Sequence, residues 1–172
     1  GAILNLEASF QRAEESEDIE TVALDPNLPT PRELEEYSWS PAFRRVPIPD
    51  APLRQGSGRA AAWMTSSALP ERSELLHAAA FAFLSDDLPT DAVVRSHPVS
   101  AAMSDPWESS MISASLDHTI WFHRPAVADA WHLHDFSCHS FVGGRGLSLG
   151  HLHSAEGTHI ATVAQEVLLR FG

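Results

Sequence analysis

The run Ile160–Arg170, IATVAQEVLLR, alternates as a strand does. Counted by two, Ala161, Val163, Gln165, Val167 and Leu169 share one face, and Thr162, Ala164, Glu166, Leu168 and Arg170 share the other. Gln165 is the single polar member of an apolar row. A buried amide without partners costs about 1–3 kcal/mol, so Gln165 either bonds to backbone as a structural residue or holds a polar reactant. An acid poses the same question. Residues Glu71–Ser85, ERSELLHAAAFAFLS, contain neither Gly nor Pro and put Leu75, Leu76, Ala79, Ala80 and Phe83 at helical spacing, which predicts a broad apolar face. Asp86 lies three residues after Phe83 and seven after Ala79, on that apolar side, where a carboxylate is costly unless partnered. Asp87 sits one position round and is the alternative acid.

A third polar row lies in Met111–His123, MISASLDHTIWFH. Read as one strand, it puts Ser113, Ser115, Asp117, Thr119 and Trp121 on one face, and Leu116, His118, Ile120 and Phe122 on the other. Such a row fits a pocket wall or a solvated surface equally. His118, His123, His132, His134, His139, His151 and His153 crowd this half of the chain and raise the question of a metal. With no HExxH pair and no Cys/His framework, no metal site and no cofactor are expected. There is no GxSxG elbow for a serine nucleophile and no GxxxxGK loop for phosphates. Gly143-Gly144-Arg145-Gly146 either lets backbone approach a ligand or marks a bulge or turn. Cys138 is the only cysteine, which excludes an internal disulfide and fits a reducing, cytoplasmic setting; nothing beside it in sequence suggests an activated thiol.

These residues need a scaffold. Phe43–Ile48 reads as a strand that Pro47 and Pro49 confine to a sheet edge or an element end. Gly58–Ser66 reads as a further strand, the helix over Glu71–Ser85 is stopped near Pro89, and Met111–His123, Ala130–His153 (a pair broken or bulged at Gly143-Gly144) and Thr158–Arg170 supply the rest of a sheet. One long helix beside a curled antiparallel sheet buries both apolar faces, so the class is α+β. Ahead of it, Ile3–Gln11 alternates as a strand, and the acidic, Pro-rich segment that follows reads as a linker with one short helix near Pro31–Tyr37. The formal charge of −12 argues against a nucleic-acid groove, which needs clustered Lys and Arg. No apolar run approaches the ~18 residues of a membrane helix. The chain opens on Gly rather than Met, as a processed chain, a cloning scar or a piece of something longer would.

Taken together, SLDHTIWFHRP from Ser115, Trp131, GGRG from Gly143, IATVAQEVLLR from Ile160, AFAFLSD ending at Asp86, and ASFQ near the start resemble the carboxyl-terminal half of the type II acyl-CoA thioesterases, which carry two hotdog domains in one chain. SLDHxxWFHRP followed by VAQE is the specific part. The resemblance implies a hotdog fold, a curled antiparallel sheet wrapped around a long central helix. It implies residues 1–11 as the closing strand of a preceding hotdog domain, 12–40 as linker, and 41–172 as the thioesterase domain. It also implies Asp86, Ser115 and Gln165 as the catalytic residues that orient a hydrolytic water. Two stretches depart from the family pattern, the polar DDLPTDAVV and the longer SHPVSAAMSDPWESSM, both lying between the acid and the hydroxyl.

The implied reaction is hydrolysis of an acyl-CoA thioester to fatty acid and coenzyme A, with Asp86 as general base. Coenzyme A is an anion, and the local cations available to it include Arg124, Arg145 and Arg170. The implied partner is another hotdog domain, from a copy of this chain or from an amino-terminal fragment. Two other readings stand beside this one: a non-catalytic hotdog interaction domain, and a hotdog dehydratase acting on an acyl thioester, which would use a His with an acid.

Overall fold

The computed structural model describes residues 5–12, 14–49, 53, 58–69, 73–102 and 110–172. Seven strands form one antiparallel sheet: β1 (Phe43–Pro47), β2 (Arg59–Ser66), β3 (Met111–Ser115), β4 (Thr119–Phe122), β5 (His132–Val142), β6 (Arg145–Ser154) and β7 (His159–Phe171). The order across the sheet is β1-β2-β5-β6-β7-β3, and β4 also pairs with β7. β1 is an edge strand, as its prolines require, with Pro47 at its last pair, opposite Ala62. β5 and β6 are joined by Gly143 and Gly144 between the paired Val142 and Arg145. Both glycines have positive φ, 63° and 77°, the backbone of a two-residue hairpin turn that favours Gly at both positions. The glycine pair therefore serves chain reversal.

The helical layer differs from the single long helix expected over Glu71–Ser85. Helix α1 spans Glu74–Leu84, with the Ser73 side chain accepting from Leu76 N at its start; residues 71 and 72 lie outside the described ones. A turn through Asp86 and Asp87 leads to α2 (Pro89–Ser96), and α3 (Pro98–Ala101) follows. Pro89 and Pro98 each begin a helix rather than only ending one, because a first-turn residue has no intrahelical N–H bond to lose. The polar stretch DDLPTDAVV is thus a second helix that buries Ala92, Val93 and Val94 against β6, β7 and their neighbours. Its approach is close: a Cβ at Gly146 would stand 2.4 Å from Val93 Cγ1.

α1 lies on one face of the sheet. Phe81, Leu84 and Leu88 pack with Ala60, Ala62, Met64, Phe136, Leu152, Ala161 and Val163. The buried side of α1 is His77, Phe81 and Leu84; of the expected apolar face Ala80 packs against the core, whereas Leu75 and Phe83 are 72% and 56% exposed and point outward. The opposite face of the sheet is covered by the segment read as linker. Leu24, Leu28 and Leu34 pack over Val46, Ala61, Trp63 and Leu133, and Trp63 Nε1 donates to Pro29 O at 2.8 Å. The short helix expected at Pro31–Tyr37 is a single 3-10 turn, Pro31–Glu33, closed by a Thr30–Glu33 capping box. Of the amino-terminal stretch read as a strand, residues 5–11 are described; they form no strand pairing among the described residues, and Leu6 and Phe10 are exposed.

Candidate active site

The apolar row on β7 is buried as its alternation requires: Ala161, Val163, Val167 and Leu169 with Gln165 among them at 0% exposure. The amide has partners. Gln165 Nε2 donates to Asp86 Oδ1 at 2.8 Å and to Ser115 Oγ at 2.8 Å, and Ser115 Oγ donates to Asp86 Oδ1 at 3.0 Å. The three residues named from the sequence therefore meet in one triangle, brought from the end of α1, the end of β3 and the middle of β7. Asp86 and Ser115 are open to solvent, and Gln165 forms the floor beneath them. Every hydrogen in the triangle has a defined acceptor: two from the amide and one from the hydroxyl.

Asp87 turns the other way. Its carboxylate accepts from Arg45 Nε at 2.7 Å and from Trp39 Nε1 at 2.7 Å, and Arg45 also reaches Asp91 at 2.8 Å. Burial pushes the Asp91 carboxyl up to about 6, against the pull of Arg45. Helix, turn and β1 are thereby tied together just behind Asp86.

One member of this network was assigned to the wrong face from sequence. Met111–His123 is two strands, not one. Ser115 pairs with Val167 and Thr119 with Ala164, so three residues, Leu116 to His118, stand opposite two, Gln165 and Glu166. The extra residue is a bulge, and it reverses the alternation beyond it. Glu166 N donates to Asp117 Oδ1 at 2.7 Å inside the bulge. As a result His118 joins Ser115 on the face of Gln165, with His118 Nδ1 2.5 Å from Gln165 Oε1 and His118 Nε2 2.9 Å from Ser85 Oγ.

Six of the other histidines fall into two separate groups. His132 and His134 lie under α1, their rings tilted against each other and that of His132 against Phe81, with His134 Nε2 and His132 Nδ1 2.9 Å apart. His123, His151, His153 and His159 group elsewhere, with His151 Nδ1 3.2 Å from His159 Nε2; burial holds His159 down at about 4. Among the described residues no group of three or more His, Cys, Asp or Glu is arranged to hold a metal ion. The three arginines do not converge. Arg124 is paired with Asp18 and Glu20, and Arg145 with Glu166 at 3.1 Å. Arg170 is exposed near the far end of β7. A cavity of about 290 Å³ lies by the start of α1, against Glu74, Ala78, Phe81, Phe122 and Arg124. It is separate from the Asp86 triangle, which sits at the other end of that helix.

Residues 16–169 match the model of the acyl-CoA thioesterase C-terminal domain. The chain belongs to that family. The chain is similar to acyl-CoA thioesterase 2 of Haemophilus influenzae, 47% identical over 64 residues, which is 37% of this chain and 22% of that protein. The crystal structure of an acyl-CoA thioesterase II from Mycobacterium marinum superposes with a TM-score of 0.76 at 27% identity, over 92% of this chain and 60% of that one. A protein of unknown function from Alicyclobacillus acidocaldarius, described as having a hot dog fold, superposes at 0.60 with 16% identity, over 94% of this chain and 59% of that one. The fold is the hotdog, a curled sheet against a bent helical layer. This chain spans less than two thirds of the length of each of these relatives.

Proposed function

We propose that this domain contributes to hydrolysis of acyl-CoA thioesters, and that Asp86, Ser115 and Gln165 hold the attacking water. The triangle at 2.8–3.0 Å is the observation that carries the reading. Both hydrogen bonds to the acid land on Oδ1, which points the remaining work of the carboxylate at Oδ2. A water there gives its proton to Asp86 as its oxygen attacks the thioester carbonyl. The tetrahedral intermediate collapses, the carbon–sulfur bond breaks, and the thiolate of coenzyme A leaves and takes up a proton. Ser115 and Gln165 hold the acid and the water in line, so their contribution is orientation. The acyl tail gains about 0.8 kcal/mol per buried CH₂ on an apolar wall.

The deciding experiment measures free thiol released from short, medium and long acyl-CoAs. Thiol release supports hydrolysis; an enoyl or hydroxyacyl product without thiol release would assign a dehydratase. No turnover across the panel by a folded sample would assign a non-catalytic interaction domain. Within the hydrolytic reading, Ser115→Ala and Gln165→Ala should each lower kcat with KM little changed, because each removes a hydrogen bond that orients the Asp86 carboxylate and not a contact with the tail. A raised KM at unchanged kcat in either variant would assign substrate positioning instead.

The working unit includes a second hotdog domain, supplied by a copy of this chain or by an amino-terminal fragment whose sheet is completed by residues 1–11. Leu75 and Phe83 point outward from α1, exposed apolar side chains of the kind that a partner covers. Light scattering should give a mass well above 18.8 kDa. A fully active monomer of that mass would reject the pairing. No helix among the described residues is long and apolar enough to cross a membrane, and the lone Cys138 agrees with a cytoplasmic setting.

A further inference from the structure

We infer that His118 is a positioning residue for this site, its Nδ1–H fixing which way the Gln165 amide faces while Ser85 fixes the ring. The inference rests on the thioesterase reading above for its catalytic consequence, and on geometry alone for the orientation of the amide. An amide has two ends, and only one arrangement serves the triangle. With Nε2 toward Asp86 and Ser115, both amide hydrogens are used, at 2.8 Å each. Turned over, Oε1 would stand where Nε2 is, 2.8 Å from Asp86 Oδ1. Two acceptors would then face each other, with the single hydrogen of Ser115 already committed to the acid.

What lies at the other end of the amide decides between the two arrangements. His118 Nδ1 is 2.5 Å from Gln165 Oε1. A carbonyl oxygen only accepts, so Nδ1 carries the hydrogen. The far nitrogen of the same ring, Nε2, is 2.9 Å from Ser85 Oγ. Ser85 is wholly buried, caps the carboxyl end of α1 and is the residue directly before Asp86. The chain of contacts runs from Asp86 to Gln165, to His118, to Ser85, and returns through one peptide bond to Asp86. It fastens the acid-bearing end of the helix to the middle of β7 from both sides. The bulge at Leu116–His118 exists on the same edge of β7 and is what turns the imidazole into this ring. Without it, His118 would face away from Gln165.

Two substitutions separate positioning from simple packing. His118→Asn keeps an N–H donor near the place of Nδ1 and gives up the contact with Ser85. His118→Gln reaches toward Ser85 and gives up the donor at Nδ1. Positioning predicts that the Gln variant loses about 10²-fold in kcat, the scale of a small misplacement of a reacting group, with KM unchanged, and that the Asn variant retains most of its turnover. Equal losses in both variants, matched by equal falls in melting temperature, would show a structural role only and overturn the inference. Full kcat in His118→Gln would overturn it too. Long-range proton–nitrogen spectra of the histidine rings give a readout that needs no turnover: the signals lost in His118→Gln should belong to a ring protonated at Nδ1. A neutral ring protonated at Nε2 would overturn the orientation whatever the activity. Absence of thiol release from the unmodified chain would instead overturn the thioesterase reading, and the ring signals would still decide how the amide faces.

Discussion

Asp86→Asn should lower turnover of acyl-CoA by about 10²-fold or more, the usual cost of losing a general base, with the fold intact. The substitution is close to isosteric, and the geometry says which atom changes role. Ser115 and Gln165 both bond to Oδ1, and an asparagine carbonyl in that place accepts the same two hydrogens. Oδ2 becomes an NH₂ with no lone pair to take a proton from water. The triangle is kept and the base is removed, so kcat falls while the melting curve stays near that of the unmodified chain. Asp87→Asn supplies the contrast. Asp87 is tied to Arg45 and Trp39 at 2.7 Å each, so its loss should lower the melting temperature while turnover per folded molecule stays high. Thiol-release kinetics alongside thermal melts of the two variants would separate them. Normal turnover in Asp86→Asn with an inactive Asp87→Asn would move the role of base to the neighbour.

The site was legible where a single periodicity applied. β7 alternates regularly from Ala161 to Leu169, so counting by two puts Gln165 among Ala161, Val163 and Val167 without any knowledge of the fold. The same counting failed on Met111–His123, because a bulge changes parity and nothing in a period-two pattern announces an inserted residue. His118 was thereby placed on the wrong face and its part in the network went unseen. The helix failed for another reason. ELLHAAAFAFL is apolar nearly all round, so the period of 3.6 has no direction to report. The face that packs is His77, Phe81 and Leu84, selected by the sheet beneath it. Leu75 and Phe83 point outward, on the same side as Asp86. The acid was thus correctly grouped with Phe83, but that face is the open one. The carboxylate lies beside solvent and is not buried in the core. Proline carries two roles here: Pro89 stops the first helix from continuing and begins the next.

Stability should fall steadily as the pH drops from about 6.5 to about 4, largely through two histidines that play no part in the site. His132 and His134 lie wholly inside, under α1. Burial lowers His132 from the ordinary 6.5 to about 4, against the help of the Ala128 carbonyl. Burial and the neighbouring His132 ring put His134 well below its ordinary value. In the unfolded chain both rings take up a proton once the pH passes below about 6.5. In the folded chain they do not, so each step down in pH favours unfolding, and the stability is fully present only above the unfolded value. For His132 alone the difference amounts to ~3 kcal/mol by pH 4, at 1.36 kcal/mol per pKa unit. That is a large share of the roughly 5–15 kcal/mol that holds a typical domain together. His151, His153 and His159 are lowered as well and act in the same direction. Asp91 opposes them. Its carboxyl is raised to about 6 from 3.8, so between those values the folded chain binds the proton more readily and gains stability as the pH falls. One acid offsets part of the effect of the histidines and not all of it. Urea unfolding at a series of pH values from 7.5 to 4 should show the decline. The double substitution His132→Leu with His134→Leu removes both rings together, so neither is left with an unpaired nitrogen facing its partner. It should flatten the decline by up to ~3 kcal/mol per pH unit, two protons' worth of slope. An unchanged slope in a folded double variant would place the acid sensitivity elsewhere.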